Sequence, residues 1–361
     1  RYASTCGACE AACGVLVTVR DGRPIKLEGN PQHPLTRGGL CAAGQAAVLG
    51  LYDSRRYRGP LMAGQPASWN DVDRDVAARL DAIRNAGGAV RLLTGTITSP
   101  MLLARIRAFL DTFTGARHVA YDALSASAML DAHQRTHGRR DLPRYRFDQA
   151  AVIVSIDADF LGTWIAPVEF TQGWREGRSL TGTPPRSSYH VQIEPRLSLT
   201  GTKADARLRI RPSAVGAVVA QLAARIAARA GAPFDAAAAG DPGVDAAALD
   251  DIAGRLWQAR HASLIVSGSQ DPAVQALVNT ANQLLGSYGH TLDLDRPSFQ
   301  RRGDDGALAA LLDELRAGRV AALLVAGANP AYDLPEAEEF AALARRAGMA
   351  VSFAGAPDET S

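Results

Sequence analysis

From residue 42 to residue 361 the chain contains no cysteine. A secreted disulfide framework is a small domain with dispersed cysteines, so that class is excluded. No apolar run approaches the roughly 20 residues needed to span a bilayer. Neither sign of charge dominates: the net charge is +2, so nothing pulls the chain strongly towards nucleic acid or an anionic membrane. Aromatic residues make up only 6% and lysine is rare beside abundant arginine and alanine, which reads as coding bias rather than function. No HExxH, GxSxG, GxGxxG or GxxxxGK[ST] occurs, so the commonest metalloprotease, serine-hydrolase and nucleotide-loop signatures are missing. No signal peptide is visible. The chain opens on Arg1 and stops at "APDETS", and is expected to be a fragment of a longer protein.

Four cysteines are present, all within the first 41 residues, as C-x2-C-x3-C-x27-C: Cys6, Cys9, Cys13 and Cys41. The first three are too close to pair among themselves without strain. Four thiolates converging on one metal centre explain the clustering. Structural zinc sites usually take two separated C-x2-4-C pairs, whereas three ligands on one loop and one from afar suit a [4Fe–4S] cube with one cysteine to each iron. Spacing favours iron–sulfur over zinc and leaves a zinc-stapled α/β binding protein as the outside reading.

Between the third and fourth cysteines, "GVLVTVRDGRPIKLEGN" reads as a hairpin. Val15, Val17 and Val19 alternate, Asp21-Gly22 makes the turn, and Ile25 and Leu27 return. Such a hairpin folds Cys41 back onto the cysteine loop. Beyond about residue 60, apolar strands alternate with amphipathic helices. Helices are expected near 68–86, 99–115, 126–137, 168–175, 214–230, 272–285, 307–317 and 336–347. This alternation predicts parallel sheets covered on both faces, enough for two doubly wound α/β domains. "HTLDLD" (290–295) is counted among the strands, "GAPFDAAAAGDPGVDAAALDD" (231–251) is expected as a surface connection, and "RRDLPRYR" (139–146) as an exposed loop. The domains are expected at 1–55 (metal-binding), at 56–120 with 296–361, and at 121–295 (dinucleotide-binding-like).

Ligands bind such folds at the carboxyl ends of the strands. Those loops are 94–99, 157–164, 194–201, 267–272 and 326–333, rich in Gly, Ser, Thr, Asn and Asp, residues that let backbone N–H groups approach a phosphate. His133 and His137 stand four apart on one helix, a possible metal pair but more simply a satisfied pair. Arg207, Arg209 and Arg211 alternate on one strand, where a pyrophosphate groove and a solvated face are equally good readings.

The cysteine pattern followed by these loops resembles the molybdopterin oxidoreductase family, the complex iron–sulfur molybdoenzymes, over essentially the whole chain. "LEGNPQHPLTRGGLCAAGQ" is similar to the family's approach to its fourth cysteine. "ADFLGTWIAPVEF", "EPRLSLTGTKAD" and "AGANPAYDLPEAEEF" are similar to its pterin-dinucleotide loops. The two middle segments are especially similar to the branch that includes the molybdopterin-like subunit of alternative complex III. The resemblance implies a [4Fe–4S] cluster on the four cysteines, and a molybdenum bis(molybdopterin guanine dinucleotide) with Asp159, Thr163, Glu194, Arg196, Asp205, Gly268, Gly327 and Asn329 lining its grooves. It places Ser125 near the molybdenum-ligand position, against the plainer reading of a helix-start serine. It also implies a C-terminal barrel, expected to be missing from this sequence, a ferredoxin-like iron–sulfur partner, an integral membrane quinone-reactive subunit, and work on the extracytoplasmic face of the bacterial cytoplasmic membrane after twin-arginine export. The chain itself is expected to be soluble.

Departures are visible. Ala43 stands where the family has Lys or Arg, Asp157 where it has a glycine, and Ser213 and Val215 replace a turn glycine and an acid. A carboxylate at 157 would face a pyrophosphate, and like charges in a partly dry site repel. These changes support a second reading: a molybdenum-free electron-transfer or structural subunit of a membrane-bound quinol-oxidising complex.

Overall fold

The computed structural model describes residues 1–181, 183–234 and 240–361. The chain forms two compact units, Arg1–Val48 with Ala126–Arg301, and Leu49–Ser125 with Arg302–Ser361. The first 48 residues therefore cluster with 126–301 instead of standing apart.

In the first unit, strands Tyr2–Thr5, Gly14–Arg20 and Arg23–Gly29 form an antiparallel sheet in that order. The turn between the last two has Asp21 at φ 49° and Gly22 at φ 77°, the left-handed pair that a two-residue hairpin needs. The same unit holds a parallel sheet in the order Ala206–Arg209, Tyr189–Glu194, Val152–Ile156, Ser263–Ser267. The two faces alternate along each strand. Val152, Val154, Ile156, Val191 and Ile193 meet helices Val215–Ala230 and Ala246–Gln258 through Leu222, Ile226, Leu249 and Leu256. Ile153, Leu264 and Val266 meet Phe147, Phe160, Trp164 and Phe170 on the other face. Contrary to the expectation that no apolar run approaches bilayer length, the stretch Pro212–Ala230 is long and apolar enough by composition to cross a membrane, but Val218, Leu222 and Ile226 are buried in this core.

The second unit repeats the plan. Its parallel sheet runs Met349–Ser352, Ala322–Ala326, Val90–Thr94, Arg117–Ala120. Leu93, Val119, Leu323 and Val325 pack on Leu311, Leu315 and Phe340, and Val90, Leu92 and Leu324 pack on Ile106, Leu110 and Phe113. In both sheets the chain starts in the middle, runs outward, and later returns to the other side. The reversal falls between Val152–Ile156 and Ser263–Ser267 in one unit, and between Val90–Thr94 and Ala322–Ala326 in the other. Crevices form at such reversals because the flanking connections leave in opposite directions.

Three expectations are corrected. The strand expected at 290–295 is Leu292–Ser298, and it pairs antiparallel with Leu142–Tyr145 in a two-stranded ribbon, outside the parallel sheet. The stretch 139–146 is thus not an exposed loop: Leu142 and Tyr145 are buried in the aromatic core, and their burial outweighs the flanking arginines that made the segment read as loop. The alanine-rich segment 231–251 ends in a helix, Ala246–Gln258, whose cap Asp245 accepts from the Ala247 N–H at 3.1 Å. Residues 235–239 of that segment lie outside the described residues.

One buried ion pair ties a helix to the second sheet. Arg91, 5% exposed, reaches Glu314 of helix Asp305–Arg316 with Nε–Oε2 2.5 Å and Nη2–Oε1 3.1 Å. The Arg91 guanidinium holds the Glu314 carboxyl below its usual range. The stabilisation is therefore complete above the ordinary carboxylate value and is lost as pH falls through the lower folded one. Glu314→Ala leaves Arg91 buried without its partner and is expected to cost about 3 kcal/mol in urea denaturation at neutral pH. The deficit should shrink on acidification. A variant as stable as wild type would contradict this role.

Candidate functional site

The cysteine loop closes on itself. The Cys6 N–H donates to the Cys13 carbonyl at 2.8 Å, and Ala12 N–H to the Cys9 carbonyl at 3.3 Å. Cys6 and Cys13 are buried, and Cys9 and Cys41 are exposed. Residues 30–39 bring the fourth cysteine back. Asn30 N–H bonds the Gly14 carbonyl at 2.9 Å, Gly38 N–H bonds the Asn30 carbonyl at 3.0 Å, and buried Thr36 holds the His33 ring at 2.9 Å. The approach is so close that a Cβ on Gly29 would lie 2.1 Å from the Gly38 carbonyl oxygen.

Cys41 then caps the short helix Ala42–Ala46, its Sγ accepting from the Gly44 N–H at 3.3 Å, while Cys6 Sγ lies 3.4 Å from where a Gly44 Cβ would stand. The first and fourth sulfurs thus flank one glycine. Burial, then the neighbouring thiols of Cys9, Cys6 and Cys41, push the Cys13 thiol up to about 12. A thiol raised in this way keeps its proton until a cation displaces it. Among the described residues no three His, Cys, Asp or Glu side chains form a group that could hold a metal ion as they stand. A cubane spreads its four thiolates over four irons and so needs a wider arrangement than one ion. The buried pair, the exposed pair and the bare Gly44 between two sulfurs fit that larger group.

At the reversal point of the first unit, the backbones nearly touch. Gly268 N–H donates to the Ile156 carbonyl at 2.9 Å, and a Cβ on Gly268 would lie 2.1 Å from the Asp157 carbonyl oxygen. Asp157 sits at φ 53°, the left-handed region where glycine is at ease. Burial pushes its carboxyl up and Glu194 adds to this, while exposed Arg196 opposes.

The other acids are engaged by the chain itself. Asp159 accepts from Thr200 N–H at 3.0 Å and Thr200 Oγ1 at 2.7 Å, and more weakly from exposed Thr163 Oγ1 at 3.4 Å. Glu194, 1% exposed, accepts from Ser198 Oγ at 2.5 Å, Arg207 Nε at 2.6 Å, Ser198 N–H at 3.1 Å and Gln192 Nε2 at 3.1 Å. Asp205 takes both arms of Arg178, at 2.7 and 2.8 Å, and the His190 N–H at 2.7 Å. These carboxylates staple the loops in place. Arg207 is therefore paired through Nε with Glu194 rather than simply solvated, and Arg211 lies past the end of its strand as the cap of a 3-10 turn. Val215 packs in the apolar core.

In the second unit a cleft of about 480 Å³ opens at the ends of Ala322–Ala326 and Met349–Ser352, lined by Gly327, Asn329, Asp333, Phe353, Gly355 and Asp358 among others. Gly327 has φ 61° and open space where a side chain would be. Asn329 donates to Glu359 Oε2 at 2.6 Å and accepts from Thr360 Oγ1 at 2.7 Å. The cleft has room for a ligand arm beside a bare backbone, though Asp333 and Asp358 put carboxylates on its wall.

Ser125 Oγ donates to Asp305 Oδ2 at 2.7 Å. It is not the cap of the helix it precedes, which begins at Ser127 after Ala126 with no side-chain cap. His133 is buried between the Met129 carbonyl at 2.9 Å and Tyr288 Oη at 3.1 Å, a satisfied core histidine. Sequence reasoning missed Glu10, Gln300 and Arg301, because nothing in local spacing links residues so far apart, and it missed the cleft wall at 352–358.

Residues 1–53 match the molybdopterin oxidoreductase Fe4S4 domain. Along 98% of its length the chain is 28% identical to the menaquinone reductase molybdopterin-binding-like subunit of Nitratidesulfovibrio vulgaris. Both likenesses support the molybdopterin oxidoreductase family. A nitrate reductase of Shewanella frigidimarina is 29% identical over 58% of the chain. The chain spans 55% of the first relative's length and 23% of the second's. Among solved structures, the formyltransferase/hydrolase complex of Methylorubrum extorquens aligns with 79% of this chain and 80% of that one at 16% identity and a TM-score of 0.45, a likeness too loose to bear on function.

Asp157 gives a direct test of the first reversal point. Asp157→Gly removes both a left-handed non-glycine residue and a carboxylate whose charged form burial disfavours. It is expected to stabilise the protein at neutral pH by about 1 kcal/mol. The carboxylate's share of that gain should fade as pH falls through the raised folded value towards the ordinary one, where the acid is neutral folded and unfolded. Thermal melts between pH 4 and pH 8 check this, and a destabilised variant would contradict it.

Proposed function

We propose that this chain is the cluster-carrying part of a molybdopterin-oxidoreductase-type large subunit, moving electrons in a respiratory chain. The single observation that carries the proposal is the return of Cys41 to the 6–13 loop, with Cys6 and Cys41 on either side of Gly44. Cys6, Cys9, Cys13 and Cys41 would hold a [4Fe–4S] cluster, which when bound supplies one-electron transfer. The chain's own residues provide the setting. Cys6, Ala11, Cys13 and Val15 make a dry inner wall, and exposed Cys9 and Cys41 mark the face from which a redox partner would be reached. A ferredoxin-like iron–sulfur subunit, a membrane quinone-reactive subunit and an extracytoplasmic location are the proposed context, supported by a relative that is itself a menaquinone reductase subunit.

One pterin dinucleotide would meet Gly327 and Asn329 in the cleft of the second unit, and another would meet Asp159, Thr163, Glu194, Arg196, Asp205 and Gly268 at the reversal point of the first. The first-unit loops favour the alternative reading, a relative that keeps the cluster and works without molybdenum. Asp157 places a carboxylate where a pyrophosphate would pass, and Glu194 and Asp205 are already committed to Arg207 and Arg178.

Metal analysis of anaerobically purified full-length protein separates the readings. About four irons per chain with matching sulfide supports the cluster. Molybdenum beside them supports the active enzyme, and iron without molybdenum supports the electron-transfer subunit. Zinc without iron would overturn both. Cys13→Ser, which removes a buried ligand, is expected to lose most of the iron.

A further inference from the structure

One flank of the cysteine loop is held from the far end of the first unit. Glu10, between the second and third cysteines, pairs with Arg301: Nη1 lies 2.6 Å from Oε2, and the Arg301 side chain is only 10% exposed. Next to it, Gln300 Nε2 donates to the Ala11 carbonyl at 3.3 Å, and Arg301 Nη1 donates to the Gln300 carbonyl at 3.2 Å. Two consecutive residues thus grip two consecutive residues of the loop.

A neutral side chain could have filled this space. Burying a guanidinium instead costs several kcal/mol of lost hydration unless its partner and hydrogen bonds offset it, so the charge calls for an explanation beyond packing. Its surroundings supply one. Helix Ala42–Ala46, which follows the fourth cysteine, carries no acid in its first turn and no base in its last, so it brings no cation to the loop. Glu10 follows Cys9 directly in the chain, so its ion pair with Arg301 sits at the flank of the loop that carries the second cysteine.

We propose that Arg301 is a tuning residue for the iron–sulfur cluster: it cancels the Glu10 carboxylate, so that the cluster takes up its electron beside a neutral pair. Reduction adds one negative charge to a cluster already ligated by four thiolates. A bare carboxylate beside Cys9 would make that addition harder, by a Coulomb energy that grows as the effective dielectric falls. Net charge and solvent exposure are among the levers that set such potentials. With Arg301 in place the two fields largely offset each other. The inference rests on the cluster reading above.

The test is a redox titration of the cluster, followed by its visible absorption, in full-length protein with iron counted in each sample. Arg301→Gln should move the midpoint potential to more negative values. Glu10→Gln should move it to more positive values. The double variant, with both charges removed, should return close to wild type. Arg301→Lys, which keeps the charge and loses the fork, should stay near wild type. Iron-loaded Arg301→Gln and Glu10→Gln with unchanged potentials, or with shifts of the same sign, would overturn the proposal while leaving the cluster reading intact. If Arg301→Gln fails to hold iron, Glu10→Gln and Arg301→Lys decide: no positive shift in the first, or loss of iron in the second as well, marks the contact as a structural clamp only and overturns the proposal. Iron-free wild type would overturn the cluster reading and this inference together.

Discussion

The site depends on a closure problem: a thiol 28 positions after Cys13 must return to the loop that holds the first three. A hairpin solves it geometrically, since an even ladder brings its ends together. Val15 faces Gly29 and Leu16 faces Glu28, with one irregularity near Thr18 and Val19. The last step is steric. Residues 30–39 lie so tightly against the hairpin that Gly14 and Gly29 have no room for a side chain, and Gly44 is hemmed in likewise by Leu40 and Cys6. The four thiols are therefore brought together by close approach at these glycines and by the small apolar cluster of Ala11, Val15 and Leu40. An arrangement of this kind tolerates large groups at its centre and few substitutions around it.

The two α/β units solve a different problem. Each buries one sheet between two helical layers and leaves its reversal point at the carboxyl ends of the strands. What they do with that opening differs. In the second unit it is a cleft beside a bare glycine. In the first, the loops are held by their own acids: Asp159 ties 159 to 200, Glu194 ties the strand end to Ser198 and Arg207, and Asp205 ties Arg178. Buried carboxylates satisfied by four donors, as Glu194 is, hold a loop in one conformation. They are not free to hydrogen-bond a sugar or a base without breaking that network first. This difference between the two openings is the physical basis for treating cluster and pterin as separate questions in this chain.

Much of this was legible beforehand. Cysteine spacing, the Asp21-Gly22 turn and the alternation of apolar strands with capped helices are local signals, and the hairpin, both parallel sheets and most helices followed from them. The misreadings came where long-range packing outweighs local pattern. Leu142 and Tyr145 are flanked by arginines and look like loop, yet an antiparallel partner 150 residues away buries them. Arg207 looked like one of three equivalent arginines, but only it meets a buried Glu194. Glu10 and Arg301 carry no motif, and their pairing exists only after folding. Asp157 was flagged through a family pattern, and its left-handed backbone supplies the physical reason a glycine suits that position.

The account's central claim is that four thiolates share one cubane. Native mass spectrometry of the full-length protein, purified without oxygen, tests it most directly, because it weighs the bound group intact. The account predicts one dominant species heavier than the bare chain by four irons and four sulfides, with that added mass lost together when any one of the four cysteines is replaced by serine. A dominant species carrying a single zinc, or no added mass under conditions that preserve such clusters, would contradict it.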